Sequence, residues 1–403
     1  MAVQDVLPSR KGSSGFSALN DQRVRGVIFQ VLLIVAIVSF AWWIIHNTAA
    51  NLRAQGIGFG FGILRDSAGF QINQTLIDYQ ETSSYVRVYF VGLLNTLLVS
   101  FIGVLLATII GFIVGISRLS RNWVVAKAAY VYIEVLRNIP LLLQIFIWYF
   151  AVLRLLPAKR DAIDLGPFGL LNIAGWYAPN PVLGRGFALV VAAFIIGIVA
   201  TFVLRAWARR RQMATGQIFP LFRVALALII GLPLVAYFVA GFAFANPPFS
   251  LEYPTPGNFG PRGGLRVFPE FIGLLMALSF YTASFIAEIV RAGILAVPNG
   301  QTEASYSLGL RPGHTLRLVV IPQAMRVIIP PLTSQYLNLT KNSSLAVAIA
   351  YPDLVSVFAG TALNQTGRAV EFILITMATY LTISLVTSLF MNWYNRSVAL
   401  VER

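Results

Sequence analysis

Apolar runs alternate with polar segments along the whole chain, and their lengths predict helices that cross a membrane. Roughly 20 apolar residues are enough for one helical crossing of a bilayer. We therefore predict an all-α integral membrane protein with about eight transmembrane helices. The predicted crossings lie near residues 26–46, 89–117, 140–153, 183–204, 221–245, 269–290, 325–350 and 372–394.

The segment before the third crossing has a different pattern, because charged residues interrupt its apolar positions. Lys127, Glu134 and Arg137 make residues 126–138 amphipathic, and Pro140 marks the point where a fully apolar helix begins. Proline is tolerated in the first turn of a helix but not in its interior. The pattern predicts an interfacial elbow that leads into the crossing.

The distribution of charge predicts the orientation of the crossings. The chain carries 30 Lys and Arg against 15 Asp and Glu, a net charge of +15, and these residues concentrate in connecting segments. Cytoplasmic loops are enriched in Lys and Arg, which indicates that both termini are cytoplasmic. A nucleic-acid binder would instead place such charge on one soluble face, so we expect lipid headgroups and no nucleic acid as partners. The clearest cytoplasmic cluster consists of Arg205, Arg209, Arg210 and Arg211.

The ends of the first crossing and the external loops follow from this orientation. The run at 26–46 is too long for the apolar region of a signal peptide and precedes no small-residue cleavage site, so we predict a signal anchor. Residues 47–88, 154–182 and 246–268 are then external. The last of these holds proline and glycine too densely for regular structure to be expected.

Composition excludes most classes of enzyme chemistry. Hydrophobic residues make up 57% of the chain and charged residues 11%, whereas about a quarter of a soluble domain is charged. There is no cysteine, and the two histidines are His46 and His314, so thiolate and imidazole sites are nearly excluded. No phosphate-binding G-x-x-x-x-G-K-[ST] loop occurs. We expect no enzyme, no metal site and no bound cofactor, and any ATP used is bound by another polypeptide.

A polar island at residues 303–322 interrupts the apolar pattern between the sixth and seventh crossings. It begins with Glu303, Ala304 and Ser305. Gly309 is suited to a helix-ending turn, and Pro322 closes the island before the next crossing. The pattern predicts a helix, a turn and a second helix on the cytoplasmic side. The plainer alternative is an ordinary amphipathic connector.

The spacing within this island resembles the cytoplasmic EAA loop of ABC importer permeases. In that loop Glu-Ala-Ala is followed after three residues by Gly, and after nine more by Ile-x-Leu-Pro. Here Ser305 replaces the second alanine, and Val319 and Ile321 are conservative departures. The flanking segments 281–301 and 341–346 resemble the polar amino-acid branch of the same family.

The resemblance implies a type I importer permease with a five-helix core, matched by the second, third, sixth, seventh and eighth crossings. It implies that the loop helix docks on an ATPase, with Glu303, Ala304, Ser305, Gly309 and Pro322 as coupling residues. The implied partners are a dimer of ATP-binding subunits and a periplasmic amino-acid-binding protein, at the bacterial inner membrane. Long permeases of this organisation resemble those of general L-amino-acid importers, in which two different chains pair, so we expect a heterodimer with a second permease.

Four regions follow from this comparison of crossings. Residues 1–88 hold the N-terminal tail, the first helix and an external loop, and residues 89–153 form the first part of the core. Residues 154–268 are an insertion of external loops and one helix pair, and residues 269–403 complete the core. No internal repeat stands out, which weighs against a secondary transporter built from inverted repeats.

Polar residues at membrane depth are candidates for a substrate path, because a charge there costs about 2.5–3.5 kcal/mol on insertion scales. Glu288 and Arg291 are three residues apart, which favours an intrahelical ion pair over substrate contact. Lys341, Asn342, Ser343 and Ser344 interrupt an apolar span after two prolines. A cationic Lys341 beside a neutral amide suits a carboxylate-bearing substrate. The alternative is a helix-end lysine that caps backbone carbonyls.

The expected function is that of a transmembrane subunit of an ABC importer for polar L-amino acids. Two other classes stay open on the residues alone. A secondary transporter or channel would work without a separate ATPase, and a membrane scaffold would lack a continuous polar pathway between the core crossings.

Overall fold

The computed structural model describes residues 22–54 and 60–398. The predicted cytoplasmic ends, including Arg10 and Lys11, lie largely outside the described residues. The helices are α1 (Gln22–Ala54), α2 (Tyr85–Ser117), α3 (Trp123–Asn138), α4 (Leu141–Phe146), α5 (Phe187–Thr215), α6 (Leu221–Leu226), α7 (Leu232–Phe244), α8 (Pro269–Leu295), α9 (Asn299–Ser307), α10 (Pro312–Thr315), α11 (Ile321–Asn342), α12 (Leu363–Thr366) and α13 (Ala369–Val398).

Short segments of wider or tighter helix lie between several of these elements. Tight 3₁₀ turns occupy Phe61–Arg65, Leu153–Leu155, Gly166–Phe168 and Ser343–Ile349. Wide π-helical segments occupy Ile147–Val152, Ala227–Gly231, Leu316–Val320 and Val355–Ala362. The strands are β1 (Ile163–Asp164), β2 (Leu170–Asn172), β3 (Gly175–Ala178), β4 (Asn180–Leu183), β5 (Phe249–Glu252) and β6 (Leu265–Val267).

Seven helical rods of the described chain are long and apolar enough to cross a membrane. Two of them are composite: α6 and α7 join into Leu221–Phe244, and α10 and α11 join into Pro312–Ile349. The pair formed by α3 and the rod from α4 to Leu155 passes the same test together. The number of crossings is therefore eight if that pair is one span, as predicted.

The predicted break at Pro140 is confirmed, since α3 and the following rod meet at 107°. A break in a helix leaves backbone carbonyls without their usual donors, which is costly when they are buried. The buried amide of Gln144 supplies those donors: its Nε2 donates to the carbonyl of Leu136 at 2.8 Å and to that of Ile139 at 3.0 Å. The elbow is therefore stabilised by a side chain that follows it.

The centre of the core is a close contact between α2 and α8. A β-carbon built on Gly111 of α2 would lie 2.6 Å from the Cβ of Ile286 on α8. Only a glycine permits this approach, because real β-carbons keep larger separations. Helix α11 packs against α8 and also contacts α2. The buried cluster around these helices includes Val99, Ala107, Leu274, Leu278, Ile286, Ile328 and Leu339.

The connection between the last two crossings is a buried hairpin. The chain reverses at Ala350, which has φ 58°, and continues into the π-helical segment Val355–Ala362. The ring of Phe358 packs edge-on against that of Phe372 on α13, with centroids 4.6 Å apart. The ring of Tyr85 on α2 also packs against that of Phe372, with centroids 5.5 Å apart. This second cluster joins α2, the hairpin and α13.

The inserted helix pair packs mainly on itself. Gly197 of α5 admits the carbonyl of Leu228 from the neighbouring rod. Only 6% of the apolar stretch of either rod is buried, against 56% for α8. The remaining apolar side chains are exposed, and lipid tails would solvate them at little cost. The pair is therefore a lipid-facing hairpin beside the core.

The expectation that residues 246–268 lack regular structure is wrong. Strand β5 pairs with β4, and β6 pairs with β3 at the edge of a four-stranded antiparallel sheet of order β1-β2-β3-β6. The strand residues themselves contain no proline or glycine except in β3 and β4. Prolines and glycines instead form the turns, as at Gly263 and Gly264, where φ is 70° and 71°. The pairing partners lie far away in the sequence, so a local pattern does not reveal them.

Candidate coupling loop and substrate path

Helix α9 carries the first three residues of the predicted coupling loop. Ser305 is buried against the protein, and its hydroxyl donates to the carbonyl of Gln301 at 2.7 Å. Glu303 and Ala304 lie on the exposed side of the same helix. The helix therefore presents an acidic and a small residue to the outside while the serine faces inward.

The predicted turn at Gly309 is confirmed. This residue has φ 75°, and its N–H donates to the carbonyl of Tyr306 at 2.9 Å. The N–H of Leu310 reaches the carbonyl of Ser305 at 3.1 Å. Left-handed backbone closed by such bonds is the common way in which a helix ends at glycine. The second helix then begins at Pro312.

The expectation that Pro322 closes the second helix before the next span is wrong. The helical rod runs without a gap from Pro312 through the π-helical segment Leu316–Val320 into α11. Proline has no N–H to donate to the preceding turn. A π-helical turn shifts the hydrogen-bond pattern by one residue and so accommodates this missing donor within a continuous helix. The coupling loop and the seventh crossing therefore form one element.

Several large apolar side chains of this loop are exposed. Leu308 is 82% exposed, and Leu318 is 60% exposed. A contiguous apolar patch next to water is typical of an interaction site. We call this face the coupling surface, made of Glu303, Ala304, Tyr306, Leu308, Leu316 and Leu318.

Lys341 and Ser344 line an open cavity of about 410 Å³ between the end of α11 and α13. Lys341 is exposed, and its ammonium group forms no hydrogen bond or salt bridge within the described chain. The Ser344 hydroxyl donates to the carbonyl of Lys341 at 2.8 Å. The ammonium group of Lys341 therefore does not cap backbone carbonyls, which was the alternative role for this residue. The opposite wall of the cavity consists of Thr376, Met377, Tyr380, Leu381 and Ser384.

The other two candidates of this segment do not line the cavity. Ser343 is fully buried, and its hydroxyl donates to the carbonyl of Thr340 at 2.8 Å. Asn342 is half-buried and lies at the junction of α11 with the 3₁₀ turn that follows. Pro330 and Pro331 both lie inside α11. The structure therefore brings together two of the four predicted residues.

Glu288 and Arg291 form an intrahelical ion pair, as the spacing predicts. Nη2 of Arg291 lies 2.6 Å from Oε1 of Glu288, and its Nε is 3.1 Å from both carboxylate oxygens. Both side chains are about a third exposed. Glu288 does not line the cavity that holds Lys341. A role of Glu288 in substrate contact stays a prediction.

Asp353, which the sequence analysis did not single out, lies at the hairpin beside this cavity. It is fully buried, and its Oδ1 accepts from the N–H of Ser356 at 2.8 Å. The Tyr380 hydroxyl, on the cavity wall, donates to its other oxygen at 3.4 Å. Burial raises the pKa of Asp353 to about 7. The signal for it was an acidic residue inside an apolar connector, in the run Tyr351-Pro352-Asp353.

Comparison with known proteins decides the family. Residues 213–400 match the family described as the binding-protein-dependent transport system inner membrane component. Over 393 residues the chain is 53% identical to the general L-amino acid transport system permease protein AapQ of Rhizobium johnstonii, which covers 97% of this chain and 96% of that protein. The chain belongs to the permease subunits of amino-acid ABC importers.

Two further relatives of this permease match over almost their whole length. It is 52% identical over 393 residues to the putative amino-acid ABC transporter permease protein YhdX of Escherichia coli, with 98% of each chain covered. It is 40% identical over 435 residues to the glutamate/glutamine/aspartate/asparagine transport system permease protein BztB of Rhodobacter capsulatus, covering 98% of this chain and 99% of that one.

Family membership confirms the resemblance drawn from the coupling loop. The permease is a multi-pass protein of the inner membrane with the importer-permease fold. Its family is one of transporters and not of enzymes, and such a permease works with an ATPase and a substrate-binding protein.

Proposed function

We propose that this permease moves polar L-amino acids inward across the membrane, driven by ATP that a separate subunit binds and hydrolyses. The substrate class is supported by the names of the relatives: one is a general L-amino acid permease, one is a putative amino-acid permease, and one is a permease for glutamate, glutamine, aspartate and asparagine. The permease itself performs no bond chemistry and binds no cofactor in this proposal.

The observation that carries the proposal is the continuous rod from Pro312 to Ile349. It begins at the coupling surface and passes through Lys341, which lines the cavity. A helical rod transmits displacement along its length, because packed elements shift as units. An ATPase stroke that moves the loop end would therefore tilt the rod and change the walls of the cavity around Lys341.

Three partners complete the proposed transporter. An ATPase dimer contacts the coupling surface, and a periplasmic binding protein delivers substrate at the opposite end. The second permease is a different but similar chain, which makes a heterodimer. Both termini lie in the cytoplasm, and Lys341, Asn342, Ser343, Ser344 and Glu288 are the residues proposed to line or support the substrate path.

Reconstitution tests this function directly. The permease pair with its ATPase subunits in proteoliposomes should take up labelled L-glutamate or L-glutamine only with ATP on the ATPase side and the binding protein on the other. Uptake that continues with an inactive ATPase and follows an ion gradient would instead identify a secondary transporter. Absence of transport with all subunits present would leave the scaffold class.

Topology gives a second test. Single cysteines at Arg209 and at Glu303 are informative, because the chain contains no natural cysteine. We expect both to be shielded from an impermeant thiol reagent in intact cells and labelled after permeabilisation. A cysteine at Gly166, in the inserted external region, should react in intact cells and serves as the control. Labelling of either cytoplasmic position in sealed cells would contradict the orientation.

Replacing Asn342 by aspartate should change substrate preference. The new carboxylate would lie one residue after Lys341 at the half-buried end of α11, where charges interact more strongly than in water. We expect the ratio of arginine to glutamate uptake to rise roughly tenfold, which corresponds to about 1.4 kcal/mol. Asn342→Ser, a neutral polar change, is the matched control and should leave the ratio as it is. An unchanged ratio in the aspartate variant would assign this segment a structural role.

A further inference from the structure

A cleft that the proposed topology places on the external side combines three positive charges with one negative charge. It has a volume of about 380 Å³ and lies where the inserted sheet meets the first turn of α8. Arg154 lies in the last turn of the broken third crossing, Lys159 lies in the next turn of the chain, and Arg266 belongs to β6. Glu270, in the first turn of α8, lines the same cleft. Four charged side chains from separate segments thus converge on one space.

The two arginines are held in place by their neighbours. Nε of Arg266 donates to the carbonyl of Ala174 at 3.0 Å, and its guanidinium carbon lies 4.5 Å from the ring centre of Phe268. Nη2 of Arg154 lies 3.3 Å from the Tyr149 hydroxyl. An arginine stacked on an aromatic ring keeps its remaining N–H groups free for a planar anion. The cleft is therefore organised before any ligand enters it.

The positive charges of the cleft are only partly balanced, by the single carboxylate of Glu270. Within the described ranges 22–54 and 60–398, Arg154, Lys159 and Arg266 form no salt bridge. Glu270 accepts through Oε1 from the Tyr149 hydroxyl at 2.8 Å. A cleft lined by an excess of one charge attracts ions of the opposite sign. Its preferred ligand group is an anion, with one carboxylate nearby for a cationic group.

A second, smaller lobe of about 290 Å³ adjoins this cleft. Asn73, Phe268 and Glu270 line both spaces, so the two cavities share these three residues as a common wall. The smaller lobe offers amide and hydroxyl groups, which suit a polar uncharged or acidic side chain. Small-ligand sites usually occupy roughly 300–1,000 Å³. The polar residues specific to this lobe are Gln71, Gln74, Ser356 and Thr361.

We propose that the two lobes form an external binding site for one free amino acid, separate from the Lys341 cavity. The α-carboxylate lies against Arg154, Lys159 and Arg266, the α-ammonium group lies against Glu270, and the side chain enters the amide-lined lobe. A zwitterion matches this order of charges, whereas Glu270 would repel a phosphate or a second carboxylate at its end. The inference rests on the proposed transport function and adds a place where substrate waits outside.

Direct binding to the assembled importer tests the site. The probe is labelled L-glutamine, added to the complete permease–ATPase complex in nanodiscs without ATP and without the binding protein. We expect saturable binding that weakens at least about tenfold in Arg154→Gln/Lys159→Gln, because charge-assisted hydrogen bonds to the carboxylate are lost. Arg160→Gln, which removes a neighbouring charge outside the cleft, should bind as the wild type does. Arg266→Lys keeps the charge and should weaken binding less than the double variant.

A second probe separates recognition of the two ends of the amino acid. Glutarate has the carboxylates of glutamate but no amine. Glu270→Gln should weaken L-glutamate binding about tenfold while leaving glutarate binding unchanged or tighter. Its amide oxygen still accepts from Tyr149, so the surrounding contacts remain. Equal losses for both probes would show that Glu270 acts only on the structure, and would overturn the assignment of the ammonium group.

Three outcomes would sink the external site without touching the transport function. The first is no measurable binding to a wild-type complex that transports in proteoliposomes. The second is loss of binding in Lys341→Ala but not in the cleft variants, which would place the ligand in the membrane cavity. The third is that the cleft variants bind the amino acid normally, but the loaded binding protein no longer stimulates their ATP hydrolysis. That result would mean that the cleft receives a carboxylate of the binding protein. Failure of wild-type uptake, by contrast, would contradict the proposed function itself.

Discussion

Replacing Gly309 by valine should lower amino-acid uptake and substrate-stimulated ATP hydrolysis together, by roughly 5- to 30-fold. The residue has φ 75°, and left-handed backbone costs a residue with a β-carbon about 1–2 kcal/mol. A β-carbon there would meet no atom within 4 Å, so the effect acts on the backbone turn and not through a clash. The turn sets the angle between α9 and the rod that begins at Pro312. A changed angle misplaces the coupling surface.

The control for this variant uses the same position. Asparagine adopts left-handed backbone more readily than other residues with side chains, so Gly309→Asn should keep most of the activity. Ala304→Trp should uncouple as Gly309→Val does, because it adds bulk to an exposed docking residue. Glu303→Ala should be milder, since one exposed charge pair contributes about 1 kcal/mol or less. Wild-type uptake by Gly309→Val at normal abundance would return the loop to the role of a plain connector.

Gly293 of α8 contacts Ile328 of α11, and this contact needs one small and one large residue. A β-carbon built on Gly293 would overlap Cγ1 of Ile328, which is 2% exposed. Gly293→Ala should therefore lower the thermal stability of the purified permease, because overpacking a core costs about 1–3 kcal/mol. Ile328→Ala should also lower it, by about 2–5 kcal/mol, because it leaves a cavity.

A variant with both substitutions tests whether Gly293 and Ile328 are in close contact. With Ile328 shortened, the next atom to the new β-carbon is the carbonyl oxygen of Ala324 at 3.4 Å, an ordinary contact. Gly293→Ala/Ile328→Ala should thus lose less stability than the two single variants added together. Gly300→Ala, in open space on α9, is the control and should have little effect. Additive losses measured by thermal unfolding in detergent would contradict the contact.

Features with a local cause could be predicted from the sequence. The break at Pro140 follows from the proline ring, which is not tolerated inside a helix. The turn at Gly309 follows from the absence of a side chain on glycine. The Glu288–Arg291 ion pair follows from their spacing of three residues along a helix. The crossings follow from the length of apolar runs. Each depends on residues that are close in the sequence, which is why a single chain was enough.

Features that depend on distant partners were missed. Strands β5 and β6 exist because β4 and β3 offer edges to them, and a proline-rich composition hides this. The error at Pro322 has another cause, since a π-helical turn accommodates a proline that would end an ordinary helix. Asp353 and Tyr380 meet only because the hairpin folds back against α13. Residues 341–344 are neighbours in the sequence, but successive residues of a helix point in different directions. Only Lys341 and Ser344 of these four line the cavity.

The lipid-facing hairpin of α5, α6 and α7 has an even number of crossings, and this parity has a consequence for evolution. An insertion that leaves and re-enters on the same side does not invert the elements that follow it. Helix α8 therefore ends on the side where it would end without the hairpin, and α9 stays within reach of the same compartment. A single inserted helix would have reversed everything after it. Long permeases of this kind can thus gain pairs of helices beside an unchanged transport core, whereas the gain of one helix would disconnect the core from its source of energy.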